Sequence, residues 1–286
     1  MPRVRMSPEV AVITDSTAYL PGGAAESMGV RVVPLQVIVG GGVRAEGVEI
    51  EPAEVADALR SGQAVSTSRP SPTLFAAAYR EAFAAGASSV VSVQLSSEMS
   101  GTLDAARLGA LDVDGEVRVV DSRSVGMGMG FAVLAGAEAA RAGADADAVV
   151  DAVQRTLAAT QAFFYVDTLE FLRRGGRVGA AQALLGSALA VKPLLCLRDG
   201  RIEPLERVRT SAKAMLRLQD IAVGAAGDEP VAVAIHHLAA ANRADELAQA
   251  LDLRLPKLDE LVTTEVGAVV GAHTGPGMLA VVICKR

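Results

Sequence analysis

Residues 10–17 read VAVITDST, a short apolar run rich in β-branched residues that ends in polar side chains. The same pattern returns at 88–94, SSVVSVQ, and at 117–120, VRVV, after which come Asp121 and Ser122. Apolar runs of this length are typical of strands that are buried on both faces of a parallel sheet. We therefore expect three buried parallel strands, each followed by a polar loop.

Helical periodicity fills the stretches between these strands. Apolar residues recur at helical spacing in five segments: 51–60, 71–85, 101–111, 124–142 and 145–159. Strands that alternate with helices indicate a doubly wound α/β layer. Ligands of such layers bind outside the carboxyl ends of the strands, in the loops that precede the helices. Polar loops in those positions are therefore the first candidates for a site.

Beyond about residue 160 the pattern changes to strand pairs joined by turns. The strand-forming runs are FFYV at 163–166, KPLLCLRDGRIEPLERV at 192–208 and VAVAIHH at 231–237, and residues 266–284 predict strand, turn and strand. We therefore predict an α/β fold in two domains. The N-terminal domain, over 1–160, is a doubly wound parallel sheet, and the C-terminal domain, over 161–286, is α+β.

Composition excludes several classes of function. Aromatic residues make up only 3% of the chain and Trp is absent, which leaves little material for the base-stacking platforms of single-strand binding proteins. The net charge of −6 has the wrong sign for a protein that binds duplex nucleic acid. Cys196 and Cys284 lie far apart with no C-x-x-C spacing, which excludes a disulfide scaffold and a zinc ribbon. We expect no nucleic-acid partner and no metal.

The sequence also predicts a cytoplasmic protein without membrane spans. The apolar stretch that follows the basic N-terminal residues is too short for a signal peptide. The longest uncharged stretch, 266–284, is interrupted in its middle by His273 and by Gly275, Pro276 and Gly277, where a spanning helix needs continuous apolar surface.

Positive charge is concentrated in the C-terminal half. Residues 173–217 contain ten Lys and Arg but only three Asp and Glu. Such a basic tract is either a solvated face or a docking surface for a phosphate or an acidic partner. The sequence leaves both interpretations open.

A first hydroxyl-rich segment, STSRPSP at 66–72, precedes the helix that is predicted over 71–85. Ser71 can cap that helix and Pro72 suits its first turn. Thr67 and Ser68 are not needed for capping, so they are candidates for contact with a ligand.

A second such segment, QLSSEMSGT at 94–102, follows a predicted strand and opens the next helix. It brings hydroxyls and free backbone N–H groups to a helix N-terminus, an arrangement that binds carboxylate or phosphate. Ordinary capping by Ser100 is the alternative. Taken together, the two segments indicate an anionic head group.

The histidines differ in their surroundings. His236 and His237 end a predicted strand and face opposite sides of it, which is typical of structural residues. His273 lies in GAHTGPG, 271–277, a glycine-rich connection that lets backbone approach a ligand closely. The GMGMG run at 126–130 lacks the final small residue of a dinucleotide fingerprint because Phe131 follows it. Those glycines are better suited to close helix packing.

In order along the chain, these segments resemble the DegV family of bacterial fatty-acid-binding proteins. The resemblance rests on VAVITDSTAYLP, VSTSRPSP, LSSEMSGTLDAA, VVDSRSVGMGMG, YVDTLEFLRRGGRVG, KPLLCLRDGRIEPLERVRT and GAHTGPGML. The family has a two-domain α/β fold that holds one long-chain fatty acid between its domains. Well-studied members present the carboxylate to a separate ATP-dependent kinase, and the acyl phosphate feeds phospholipid synthesis. The resemblance therefore implies a non-catalytic lipid carrier without a cofactor.

The resemblance also implies which residues form the site. The fatty acid would contact Thr67, Ser68, Ser100, Gly101, Thr102 and His273. The head group or the kinase would face Arg69, Arg174, Arg201 and Arg209. Two residues depart from the family pattern. Arg69 replaces a usual Gln and adds charge beside the mouth of the site, and Leu103 replaces a frequent aromatic residue, which leaves the preferred chain length open.

Two alternatives come from other classes of protein. An enzyme, either a phosphotransferase or a hydrolase, would act on a small anionic substrate at the same loops, with Ser100 as nucleophile and His273 as base. The sequence spacing supplies no third group to orient that base. A regulatory module would bind the lipid only as a signal.

Overall fold

The computed structural model describes residues 9–184 and 192–286. The strands of this part of the chain are β1 (Val10–Asp15), β2 (Arg31–Val33), β3 (Gln36–Val39), β4 (Gly42–Ala45), β5 (Val65–Ser68), β6 (Ser89–Gln94), β7 (Glu116–Asp121), β8 (Thr160–Tyr165), β9 (Lys192–Arg198), β10 (Arg201–Val208), β11 (Val231–His237), β12 (Leu258–Glu265) and β13 (Leu279–Lys285). Its α-helices are α1 (Ala24–Met28), α2 (Pro52–Arg60), α3 (Pro72–Ala84), α4 (Thr102–Ala110), α5 (Met127–Arg141), α6 (Ala146–Ala158), α7 (Glu170–Arg174), α8 (Ser211–Ala226), α9 (Ala241–Arg254) and α10 (Ala268–Thr274). The five helices predicted before residue 160 are confirmed.

The N-terminal sheet is parallel, in the order β2-β1-β6-β7. Alternate residues of β1 point to opposite faces. Ile13 packs with Phe75 and Tyr79 of α3, whereas Val12 packs in the cluster that contains α5 and α6. Helices therefore cover both faces, and the doubly wound α/β layer is confirmed. The short strand β2 was not predicted.

Residues 66–72 correct the prediction of a polar loop before α3. Thr67 and Ser68 end β5, an outer strand of a small antiparallel sheet in the order β4-β3-β5. Thr67 pairs with Val37 of β3. The local sequence of β5 is almost entirely polar, so its periodicity does not indicate a strand. Its backbone groups are paired only because the apolar strand β3 lies beside it.

The C-terminal sheet is mixed, in the order β10-β9-β8-β13-β11-β12, and only β11 and β12 pair in parallel. Val233 and Ile235 of β11 face α8 and α9. Ala232 and Ala234, on the other face, meet Met127 and Phe131 of α5. Small side chains on that face let the helix approach the sheet closely.

Helix α5 thus lies between the two large sheets. Met127 and Phe131 face the C-terminal sheet, while Met129 and Val133 belong to the cluster under the N-terminal sheet. A helix that is apolar all round is expected to be buried, which explains the GMGMG run. An added Cβ on Gly130 would lie 2.8 Å from the Ala18 carbonyl oxygen, so close packing is the reason for that glycine.

The segment 266–284 corrects a second prediction. Its first half forms helix α10 rather than a strand, and only β13 is a strand. His273 lies in the last turn of α10, not in a connecting loop. Short apolar runs do not distinguish a buried helix from a buried strand. The helix is favoured here because Ala268, Val269 and Ala272 pack into the N-terminal core.

Within residues 9–184 and 192–286, no helix combines the length and the apolar character that are needed to cross a bilayer. The start of the chain, where a signal peptide was considered, includes residues 1–8, which lie outside the described residues. The division of the chain at residue 160, the first residue of strand β8 in the C-terminal sheet, stays a prediction.

Helices α3 and α4 provide a test of this packing. An added Cβ on Gly109 of α4 would lie 2.6 Å from the Pro72 carbonyl oxygen and 2.8 Å from Phe75 Cβ. We expect Gly109→Ala to lower the free energy of unfolding by about 1–3 kcal/mol because backbone must move. Gly224→Ala, in α8 with open space around it, should raise the same free energy by roughly 0.5–1 kcal/mol. Urea unfolding measures both, and equal stabilities would contradict the close helix contact.

Candidate functional site

A cavity of about 250 Å³ lies between the N-terminal sheet and the C-terminal sheet. Most of its wall is apolar, with side chains from both halves of the chain. The apolar lining residues are Leu35, Leu95, Met99, Val125, Ala162, Phe164, Leu172, Leu197, Ile202, Val266, Val269, Val270, Met278, Ala280 and Val282. The lining also includes Thr67, Ser68, Arg69, Ser100, Gly101, Arg177, His273 and Thr274, which we call the polar cluster.

A hydrogen bond between Thr67 and His273 joins the two halves of the chain inside the polar cluster. Thr67 Oγ1 lies 2.8 Å from His273 Nε2, although the two residues are 206 positions apart. Thr67 is the second-last residue of strand β5, and His273 is the second-last residue of helix α10. The packing of α10 against β5 therefore brings together two groups that the sequence separates widely.

The ring of His273 is neutral at ordinary pH. Burial and, to a smaller extent, the nearby positive charge of Arg177 together lower its pKa to about 4. The Nδ1 atom is buried and has no hydrogen-bond partner among the described residues. Since a buried N–H without an acceptor is costly, we assign the ring proton to Nε2. In this tautomer His273 donates to Thr67, and the Thr67 hydroxyl is free to donate into the cavity.

Ser100 combines capping with exposure to the cavity. Its Oγ accepts a hydrogen bond from the Thr102 backbone N–H at 3.3 Å and lies 2.9 Å from Thr102 Oγ1. Capping, the alternative considered for Ser100, is therefore part of its role. Thr102 is fully buried beneath Ser100 and does not belong to the cavity lining, whereas Gly101 does. Leu103 is likewise buried in α4, away from the cavity.

Two guanidinium groups border the hydroxyls. Arg69 is exposed and lies over Gly101, where an added Cβ would be 2.6 Å from Arg69 Nη1. Arg177 donates from Nε to the Met99 carbonyl oxygen at 2.9 Å and from Nη1 to the Gly175 carbonyl oxygen at 2.6 Å. The polar cluster therefore combines hydroxyl donors, a helix N-terminus and positive charge, which together suit an anion.

The other predicted arginines lie outside the cavity lining. Arg174 is exposed and pairs with Glu170 at 2.7 Å. Arg201 pairs with Glu98 at 2.8 Å and so connects the β9–β10 turn to the loop before Ser100. Arg209 is exposed. Most cations of the tract 173–217 form ion pairs of this kind, which is consistent with a solvated face over much of it.

The enzymatic alternative needs Ser100 and His273 to act as a pair. In the structure, His273 Nε2 is bonded to Thr67, and the Ser100 hydroxyl is bonded to Thr102. The low pKa of His273 also makes it a weak base. This geometry favours binding over nucleophilic catalysis. Within residues 9–184 and 192–286, no three His, Cys, Asp or Glu side chains are grouped to hold a metal ion.

Sequence reasoning missed the contributions of Tyr19, Arg177 and His236 to the cavity wall. His236 Nε2 accepts the Met127 backbone N–H at 2.8 Å, and His236 Nδ1 lies 2.8 Å from Thr264 Oγ1. Burial lowers its pKa to about 4, so the ring is a neutral structural group, as expected. No local signal in the sequence distinguishes Tyr19 as a wall residue.

Comparison with known proteins identifies the family. The family model described as "Uncharacterised protein, DegV family" matches residues 9–286. The chain belongs to the DegV family. A DegV domain-containing protein of Streptomyces coelicolor is 54% identical over 281 residues, which cover 98% of this chain and 100% of the relative.

Solved structures of DegV proteins confirm the expected fold. A DegV family protein from Thermus thermophilus, described as binding fatty acid, matches with a TM-score of 0.92 at 35% identity, covering 97% of this chain and 99% of that one. DegV of Bacillus subtilis, described as a fatty acid binding protein, matches with a TM-score of 0.89 at 31% identity, covering 98% and 100% of the two chains. The family resemblance seen in the sequence is confirmed.

The neutral state of His273 has a measurable consequence. Because its pKa is about 4 in the folded protein against an ordinary 6.5, the unfolded chain takes up the proton first as pH falls. The folded state therefore loses stability between pH 6.5 and 4. We expect His273→Asn to reduce this loss by up to about 1.4 kcal/mol per pH unit. Urea unfolding across this range measures it for both proteins, and parallel pH dependences would contradict the neutral assignment.

Proposed function

We propose that this DegV protein binds one long-chain fatty acid in the cavity between its two sheets. The observation that carries the proposal is an apolar cavity whose polar cluster combines Thr67, Ser100 and His273 with the guanidinium of Arg69. Relatives from Thermus thermophilus and Bacillus subtilis that are described as fatty-acid binding support the same ligand class. We also propose that residues 1–160 and 161–286 are the two domains that enclose the chain.

The tail supplies most of the favourable free energy. Each buried methylene contributes about 0.8 kcal/mol, so a chain with about fourteen of them gains at most ~11 kcal/mol before the costs of association. The aliphatic and aromatic wall, with Val125, Phe164 and Val282 among its members, suits this tail because it requires no hydrogen bonds from it.

The carboxylate determines where the ligand sits. A dehydrated carboxylate is expensive unless donors surround it. We propose that the hydroxyls of Thr67, Ser68 and Ser100 and the backbone N–H of Gly101 supply these donors, while Thr102, whose backbone N–H donates to Ser100 Oγ, holds that hydroxyl in place. His273 acts through Thr67, whose hydroxyl proton it turns toward the ligand. Arg69 adds a charge-assisted contact, which gives its departure from the usual Gln a physical role.

We further propose that the protein is a non-catalytic carrier and that a separate ATP-dependent kinase phosphorylates the bound carboxylate in the cytoplasm. Two features support this. The polar cluster lies beside exposed residues such as Arg69 and Glu98, so a partner has access to the head group. Arg174, Arg201 and Arg209 are exposed, and the first two are in ion pairs with Glu170 and Glu98, so we propose that Arg209 offers the kinase a cation to contact. Acyl-phosphate formation would then feed phospholipid synthesis.

Binding is tested at Thr67. Mass spectrometry of the denatured protein should release a co-purified fatty acid. Thr67→Val keeps the shape of the side chain but removes its hydroxyl, so we expect affinity for palmitate to fall about 10- to 100-fold. Thr263→Val, on exposed β12, is the matched control and should bind as the unaltered protein does. Lipid-free preparations that also take up no palmitate would end the proposal, and equal affinities would remove Thr67 from the site.

The carrier role is tested with the cognate kinase. We expect acyl-phosphate formation to require this protein and to slow about tenfold or more with Arg209→Gln, while palmitate binding stays unchanged because Arg209 is exposed and lies outside the cavity lining. The control is Arg217→Gln, which removes a cation on α8 that pairs with Glu206 of β10. If the kinase works equally well without the protein, a regulatory role for the bound lipid is favoured instead.

A further inference from the structure

A second cleft, of about 450 Å³, is lined in part by Tyr19, which also lines the cavity of the candidate site. Its walls come from the loop after β1, the turn after β4 and the segment before α10. Apolar and small residues contribute much of this lining, namely Ala18, Leu20, Pro21, Gly22, Gly23, Ala25, Val32, Pro34, Gly47, Val48, Ile50, Pro52, Gly267 and Ala268. The polar residues of the lining are Asp15, Ser16, Glu26, Glu46, Glu51, Thr264 and Glu265. Within the described chain, Tyr19 is the one residue that borders both spaces.

The hydroxyl of Tyr19 is fixed in place by buried partners. It donates to Glu46 Oε1 at 3.1 Å and accepts the Val270 backbone N–H at 3.2 Å. Glu46 is itself held, since Oε1 accepts the Val269 backbone N–H at 2.7 Å and the other oxygen accepts from Ser16. Only 5% of Glu46 is exposed. The ring therefore has little freedom to swing out of the space between the cavity and the cleft.

The backbone of Tyr19 is also unusual. Its φ of 46° and ψ of 48° lie in the left-handed region, where a bulky residue is uncommon. Glycine adopts this conformation without steric cost. The backbone conformation at position 19 thus disfavours a tyrosine. Residues held in such a conformation suggest a functional role for the side chain. The ring provides one, because Tyr19 borders both the cavity and the second cleft.

Tyr19 and His273 contact different parts of the short helix α10. Tyr19 bonds to Val270 near the start of the helix, whereas His273 lies in its last turn. At its inner end the Tyr19 ring meets His236 edge-on, with 6.0 Å between ring centroids. Both nitrogens of His236 are already bonded, so this part of the wall offers a tail only ring carbons.

We propose that the ring of Tyr19 is the wall that sets the longest acyl chain this protein accepts. The proposal rests on the proposed fatty-acid function. A tail that has filled the cavity meets the ring and has nowhere further to go. Without the ring, the cavity continues into the second cleft, and additional methylenes find apolar surface there.

The test compares Tyr19→Gly with Tyr19→Phe. The glycine removes the ring and suits the left-handed backbone, whereas the phenylalanine keeps the ring and loses only the hydroxyl contacts. Affinity is measured for saturated fatty acids of increasing length. In the unaltered protein and in Tyr19→Phe, affinity should stop rising at the same chain length. In Tyr19→Gly it should keep rising about fourfold per methylene for two or more further carbons.

The outcomes separate this inference from the proposed function. If Tyr19→Gly shows the same length limit as the unaltered protein, the inference is wrong and fatty-acid binding stands. If none of the proteins binds any fatty acid of the series, the proposed function itself fails. Should Tyr19→Gly not unfold cooperatively, Tyr19→Leu replaces it, because leucine keeps apolar packing and is shorter than tyrosine. A length limit unchanged in Tyr19→Leu would then overturn the inference.

Discussion

The hydrogen bond between Thr67 and the neutral ring of His273 is the contact on which the polar end of the cavity depends. It joins an outer strand of the N-terminal half to a helix in the last third of the chain, and the two residues are 206 positions apart, so the site exists only when both elements are packed. Burial keeps the imidazole uncharged. An uncharged donor orients the Thr67 hydroxyl without adding charge beneath it, and the positive charge at the polar end comes from Arg69 and Arg177.

A second set of contacts connects the β9–β10 turn to the loop that carries Ser100. Ser96 Oγ donates to the Gly200 carbonyl oxygen at 2.8 Å, and Arg201 pairs with Glu98. Arg177 reaches the same loop through the Met99 carbonyl oxygen. The hydroxyl segment before α4 is therefore supported by residues of the C-terminal half. The wall formed by Tyr19 depends in the same way on α10, through the Val270 backbone N–H.

Much of the fold follows from sequence periodicity. The runs at β1, β6 and β7 predict buried parallel strands, and all three are parallel. β1 and β6 are buried as predicted, whereas β7 is an outer strand and is only half-buried. Helices α2 to α6 lie where apolar spacing predicts them. Two errors share one cause. Strand β5 is too polar to show the alternation of a strand. Helix α10 is too short and too uniformly apolar to show the periodicity of a helix. Their conformations are decided by partners far away in the chain, β3 for the first and the N-terminal core for the second.

The sequence by itself determined the layer architecture, the family, and the two hydroxyl segments, because these depend on local periodicity and on motifs contiguous in the chain. Only the tertiary structure decided that Thr67 meets His273, that Arg69 and Arg177 border the cavity, and that Tyr19 separates it from a second cleft. These contacts join segments that are far apart in the chain, so no local sequence pattern predicts them. They arise when the apolar faces of two sheets and α5 are buried together, which fixes every loop at their edges.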